Sequence, residues 1–240
     1  MDWKRIRRRE DGVPRSPLRQ PLTPKGELWL LAVISVILFL FWDSPLIQPL
    51  KWLTVLFHEL SHGLVGFLTG GRVISLNLTH QEGGICVVAG GNRTLTLLAG
   101  YPGSLCWGLG ALYLSRKDRW TGPLLYVLGA LLVLVALFYV RPLIGFGFFF
   151  SLAFAVVLGA LAHWGGLQVR RLALVTIGLS SCVYVFQDIA EDVFWNTGMP
   201  SDATLLFQHT GIPGFIWGLL WYGVSIALVV YAVSTRARTT

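Results

Sequence analysis

Charge is scarce in this sequence. Charged residues fill only 13% of its 240 positions, against 54% hydrophobic, and no polar stretch is long enough to form a separate soluble domain. That excludes an ordinary water-soluble globule, so lipid is the solvent for most of the chain. Cysteine is also scarce, at three. Cys86, Cys106 and Cys182 form no CxxC pair, are odd in number and sit among apolar neighbours, which excludes a disulfide framework or a cysteine metal site and marks them as packing residues. Acids number 12, and any acid inside an apolar run needs a partner there.

What the sequence does have is apolar runs of membrane length. A bilayer crossing needs about 20 mainly apolar residues, and such segments fall at 28–43, 46–69, 93–115, 122–140, 143–162, 171–192 and 212–233. The expectation is an all-α membrane protein, a polytopic bundle of six or seven transmembrane helices. Residues 1–26 form a basic, disordered tail, 27–234 the membrane domain and 235–240 a short basic tail. The first apolar run has no small-residue cleavage site, so it reads as an uncleaved helix.

The formal charge of +7 invites nucleic acid as a partner, but its distribution points to lipid. Eight of the 19 cations lie in the first 26 residues, directly before an apolar run, where anionic lipid and the positive-inside rule act. The expected partners are therefore the bilayer and not nucleic acid, with the chain in the cell membrane and its N-terminus cytoplasmic. Seven full crossings put 11 cations on the tail side against eight opposite. If the segment at 46–69 enters without crossing, the counts become 15 and four. The charge rule prefers the second arrangement. In both, the stretch after residue 69 and the loop at 193–211 share a side.

From Arg72 to Gly91 the period changes. RVISLNL alternates, Gly83-Gly84 breaks it, and Ile85 to Val88 forms a second β-rich run, which together predict a small β-hairpin.

The chemistry is concentrated at His58-Glu59-Leu60-Ser61-His62. Imidazoles four residues apart project from one helix face and take two corners of a tetrahedral zinc site. Glu59 is placed to act as general base, and a third protein ligand must come from elsewhere. Random placement of five His and five Glu gives roughly 0.002 such motifs per chain of this length. Each ionisable group at the centre of a membrane helix is worth about 2.5 to 3.5 kcal/mol against insertion even on the permissive scale. Three within five residues, flanked by LTVLF and GLVGFLTGG, call for a compensating ligand.

FHELSHGLVGFLTGG, followed by a Gly-rich β segment, AGYPGSLCWGLGAL, and QDIAEDVFW with PSDATLL, resembles the site-2-protease group of intramembrane zinc metallopeptidases. The likeness is closest to its compact branch without a PDZ domain and runs from about Leu53 to Trp221. It implies hydrolysis of peptide bonds within or near the bilayer, with a membrane-spanning segment of another protein as substrate. The NPDG or LDG signature that supplies the third ligand in that group is absent here. Gly100, Ser104 and Gly108 recur at four-residue spacing and let another helix approach closely. The HELSH helix, through Gly63 and Gly66, is the expected partner.

Five acids are candidates for the third ligand: Asp118, Asp188, Glu191, Asp192 and Asp202. Asp118 stands among Arg116, Lys117 and Arg119 and reads as a solvated interface charge. His62 lies some 10 Å and Asp188 roughly 6 to 9 Å inside their helix ends at 1.5 Å per residue. Asp188 is therefore the first choice. Asp202 is the alternative and needs a loop folded back into the membrane. Asp192, one turn from Asp188, is placed to hydrogen-bond a ligand. His80, His163 and His209 read as interface or loop residues. Asn77-Leu78-Thr79 and Asn92-Arg93-Thr94 match the glycosylation sequon.

The best-supported function is a zinc metalloendopeptidase with His58, His62 and Asp188 as ligands and Glu59 as base. One rival is a membrane transporter or ion carrier using His58, Glu59, His62 and Asp188 as a relay. A second is a catalytically silent peptidase-like scaffold, against which the intact Glu59 speaks.

Overall fold

The computed structural model describes residues 24–81, 83–195 and 201–237. The expected basic tail lies outside these up to residue 23, and the C-terminal tail does so from residue 238. The chain is mostly helical. In order it forms α1 (Pro24–Leu40), α2 (Gln48–Leu68), β1 (Arg72–Leu78), β2 (Gly84–Ala89), α3 (Arg93–Leu98), α4 (Gly100–Ser115), α5 (Asp118–Phe138), α6 (Phe146–Trp164), α7 (Leu167–Ala190), a π-helical extension (Glu191–Trp195), α8 (Asp202–Thr210) and α9 (Gly214–Ala237).

Four described stretches are long and apolar enough to span a bilayer: Asp118–Phe138, Phe146–Trp164, Leu167–Val193 and Gly214–Ala232. At 1.5 Å per residue, about 20 residues cover the roughly 30 Å hydrocarbon core. A shorter apolar helix runs from Trp29 to Leu40. The motif helix α2 is not among the four, because His58, Glu59, Ser61 and His62 interrupt its apolar run.

Small residues decide which helices touch. A Cβ on Gly108 would fall 2.8 Å from the Gly178 carbonyl oxygen, and the Ser181 hydroxyl donates to the Ser104 carbonyl at 2.9 Å. The Ser104/Gly108 stripe of α4 therefore packs on α7, not on α2. Gly63 and Gly66 of α2 turn the other way, toward Val73, Cys86 and Val88 of the hairpin. The expected α2–α4 contact is made by Gly100, the first of the three, which lies against His58 and His62, and by Gly103, which lies against Ser61. The single apolar segment expected at 93–115 divides at Ala99–Gly100 into α3 and α4. Asn92 caps α3 by accepting from the Leu95 amide at 3.0 Å.

The expected hairpin is present as an antiparallel pair, Leu76 opposite Cys86 and Leu78 opposite Gly84, with a bulge between Val73 and Ser75. The α5–α6 turn covers its outer edge on one side: Leu76 donates to Tyr139 O and accepts from Arg141 N, both at 2.8 Å. Both backbone groups of Leu76 thus face away from β2, so Leu76 and Cys86 are a non-hydrogen-bonded pair. The backbone groups of Cys86 correspondingly face away from β1. No strand among the described residues pairs with that second edge of β2.

Candidate metal centre

α2 presents His58, Glu59 and His62 from its buried middle turns. The two rings stand edge to face with centroids 4.6 Å apart, as the one-turn spacing requires. The Nδ1 of His62 hydrogen-bonds the Thr96 carbonyl at 2.6 Å, which turns its Nε2 inward. Gly100 keeps the space in front open, since a Cβ there would fall 2.6 Å from His62 Nε2 and closer still to His58 Nε2.

Into this space comes Asp202. Its Oδ2 lies 2.9 Å from His58 Nε2 and 3.1 Å from His62 Nε2. The ligand atoms of His58, His62 and Asp202 all fall within 4.8 Å of one another. Burial alone would raise the Asp202 carboxyl, but the imidazoles of His62 and His58 hold it well below the usual carboxylate range. The local fold fixes its position. Ser201 caps α8 with a reciprocal box, its hydroxyl accepting from Thr204 N at 3.3 Å while Thr204 Oγ1 accepts from Ser201 N at 2.7 Å. Asp202 is thereby locked as the first residue of α8. Gly211, at φ 74°, ends the helix in the left-handed region.

Asp188 is not in this cluster. It sits behind His58 on α7, where the hydroxyls of Tyr184 and Tyr101 hydrogen-bond its carboxylate, and Tyr101 also donates to Asp192. The rings of Tyr101 and Tyr184 stand edge-on to His58, at 4.7 and 6.1 Å between centroids. His58 Nδ1 is buried and has no hydrogen-bond partner among the described residues. Glu191 is exposed, and Asp118 is paired with Arg171 at 2.5 Å near the other end of α7.

Glu59 stands between α2 and β2. Its carboxylate accepts from the Cys86 amide, and a Cβ on Gly84 would fall 2.5 Å from its Oε1. Burial, with Glu59 nearby, pushes the Cys86 thiol up to about 12. The remaining histidines stay apart: Trp52 Nε1 donates to the His80 carbonyl, His163 meets the Tyr126 hydroxyl and His209 lies in the last turn of α8.

Two imidazole nitrogens and a carboxylate converging from one side fit the donor set of a catalytic zinc site, which keeps further positions open for water and substrate. The fold and site define an integral membrane protein with a buried His-His-Asp cluster suited to a metal ion. The sequence matches the family model described as Peptidase M50B-like over residues 31–232, and the chain belongs to that family, the site-2-protease group. No curated protein and no solved structure matches it.

Proposed function

We propose that the protein is an intramembrane zinc metallopeptidase that cuts membrane-spanning segments of other proteins. His58, His62 and Asp202 hold the ion and Glu59 is the general base. The observation that carries this reading is the convergence of His58 Nε2, His62 Nε2 and Asp202 Oδ2, with the Glu59 carboxylate alongside but outside the ligand set. Asp202 replaces Asp188 as the proposed third ligand because it alone among the candidate acids meets both imidazoles. Bound there, zinc supplies Lewis acidity to the scissile carbonyl and to the attacking water. Glu59 takes the proton from that water and passes it to the departing amine. The Cys86 N–H holds the Glu59 carboxylate in place for both transfers.

Among the described residues no strand pairs with the outer edge of β2, and this edge supports a mode of substrate binding through the backbone groups that Glu59 leaves open. It is the edge beside Glu59, and an extended peptide added there runs past the general base with its amides open to attack. A helical substrate hides those amides in its own hydrogen bonds. Family membership and the general base beside the cluster favour peptidase over transport. The setting that fits is the cell membrane.

The test is metal analysis of the purified protein alongside Glu59→Gln, with cleavage of a membrane-inserted reporter. The wild type should hold one zinc and cut. Glu59→Gln should hold zinc and fail to cut. A metal-free wild type, or a cleaving Glu59→Gln, would defeat the proposal.

A further inference from the structure

Two cavities away from the metal centre share a wall. The first is an apolar groove of about 510 Å³ between α2, α4 and α5, lined by Phe57, Ser61, Cys106, Gly110, Leu114 and Val127 among others. It opens outward, where Leu64 and Val127 on its rim are 51% and 61% exposed. The second, of about 580 Å³, lies at the α4–α5 turn and is lined by Tyr113, Leu114, Arg116, Lys117, Arg119 and Trp120, with Asp118 between them. Leu114 belongs to both, so the groove leads into the basic pocket.

The charge at that pocket is strongly one-sided. Arg171 engages Asp118, the acid of the turn, at 2.5 Å, and Arg170 lies beside Gly122, which adds two cations from the start of α7. Lys117 and Arg119 lie over the rings of Tyr113 and Trp120, each at 5.5 Å. Tyr113, Trp120 and Trp164 are 63%, 45% and 79% exposed, which is how aromatic residues mark the boundary between headgroups and hydrocarbon. From Leu114 to Gly103 the groove follows α4 for roughly 16 Å at 1.5 Å per residue. That is close to half of the approximately 30 Å hydrocarbon core, the depth of one leaflet.

We propose that this composite cavity binds one anionic phospholipid, with its phosphate at Arg116, Lys117 and Arg119 and an acyl chain in the α2–α4–α5 groove. A cationic mouth opening on an apolar groove one leaflet deep is complementary to that molecule along its whole length. The chain end reaches Ser61 and Gly103, so the lipid packs against the turn of α2 that carries the HELSH motif, on the side opposite the hairpin glycines. The site goes beyond the peptidase reading and does not depend on it.

The experiment is native mass spectrometry of the detergent-purified protein titrated with phosphatidylglycerol or phosphatidylcholine of identical chains. The wild type should retain one phosphatidylglycerol at about tenfold lower concentration than phosphatidylcholine, a difference worth about 1.4 kcal/mol. The triple variant Arg116→Gln, Lys117→Gln, Arg119→Gln should lose that preference while still binding phosphatidylcholine. Gly110→Phe should block both lipids: a Cβ at Gly110 meets nothing within 4 Å, so the ring enters the groove without moving the helices. The proposal falls if the wild type shows no preference or the triple variant keeps it. It falls equally if tail-free glycerophosphoglycerol competes as well as the intact lipid, or if a neutral transmembrane peptide displaces the lipid from the groove. None of these readouts is proteolysis, so failure here leaves the metallopeptidase test intact.

Discussion

Asp202 makes contacts that separate it from every other acid among the described residues, and the separation is measurable. His58→Ala or His62→Ala should abolish zinc binding, because two remaining protein ligands do not hold the ion as three do. Asp202→Ala should do the same. Asp188→Ala should keep the ion but bind it about 10- to 100-fold more weakly, the usual effect of removing a group behind a ligand. Its carboxylate anchors Tyr184 and Tyr101 against the ring of His58. Zinc content and chelator competition across the four variants give the answer. Full loss in Asp188→Ala with retention in Asp202→Ala would return the third-ligand role to Asp188. The HELSH cluster was legible from sequence because its geometry is local, one turn of one helix. Which acid meets the two imidazoles was legible only in part: Asp202 stood second to Asp188, because depth measured along a helix axis assumes that the loop after α7 stays outside. The available signal was Ser201, three residues before Thr204, which caps a helix exactly where a loop was expected and aims its first residue inward.

At the scale of elements, the hairpin positions Glu59, the proposed general base, so its defects should impair cleavage while sparing the metal. Gly84→Val forces a side chain against Glu59 Oε1 and Val55, at 2.5 and 2.8 Å from the new Cβ. Cleavage should drop at least about tenfold, or about 1.4 kcal/mol of transition-state stabilisation, with zinc unchanged. Proline at Ile85 or Val87 removes an amide that faces β1, since these residues flank the non-hydrogen-bonded Cys86 pair. It should reduce cleavage of a bound reporter without releasing zinc, and unchanged cleavage would rule out strand addition. Alternation and the Gly-Gly break made the hairpin readable in advance. The role of Gly63 and Gly66 was not readable, because a small-residue stripe specifies close approach without naming the partner. Here the hairpin takes the place expected of α4. The break at Ala99–Gly100 was equally hidden, since both sides of it are apolar.

For the whole molecule, the contacts bear on how the chain sits in the bilayer. α5, α6 and α7 alternate in direction, so the basic turn at 116–119 and the start of α7 share one end, as the Arg171–Asp118 pair shows. The turn at 139–145 lies at the other end. The early part of α2 reaches that second end, with Trp52 against Phe146 and Phe150 at 4.6 and 5.5 Å. The hairpin that follows α2 returns to it, with Leu76 bonded to Tyr139 and Arg141. The chain therefore enters at α2, builds the site and comes back before α4 departs for the basic end. An entry of this kind is what the charge count of 15 against four requires, with a motif segment that does not fully cross, and the prediction that follows from the positive-inside rule is a cytoplasmic basic end. Single cysteines placed in a cysteine-free background at Ile144, 88% exposed, and at Lys117 should report this with a membrane-impermeant maleimide on intact cells. The expected outcome is labelling at position 144 from outside and at position 117 only after the membrane is opened. The reverse pattern would put the metal-centre end in the cytoplasm and make the 15-to-four arrangement untenable.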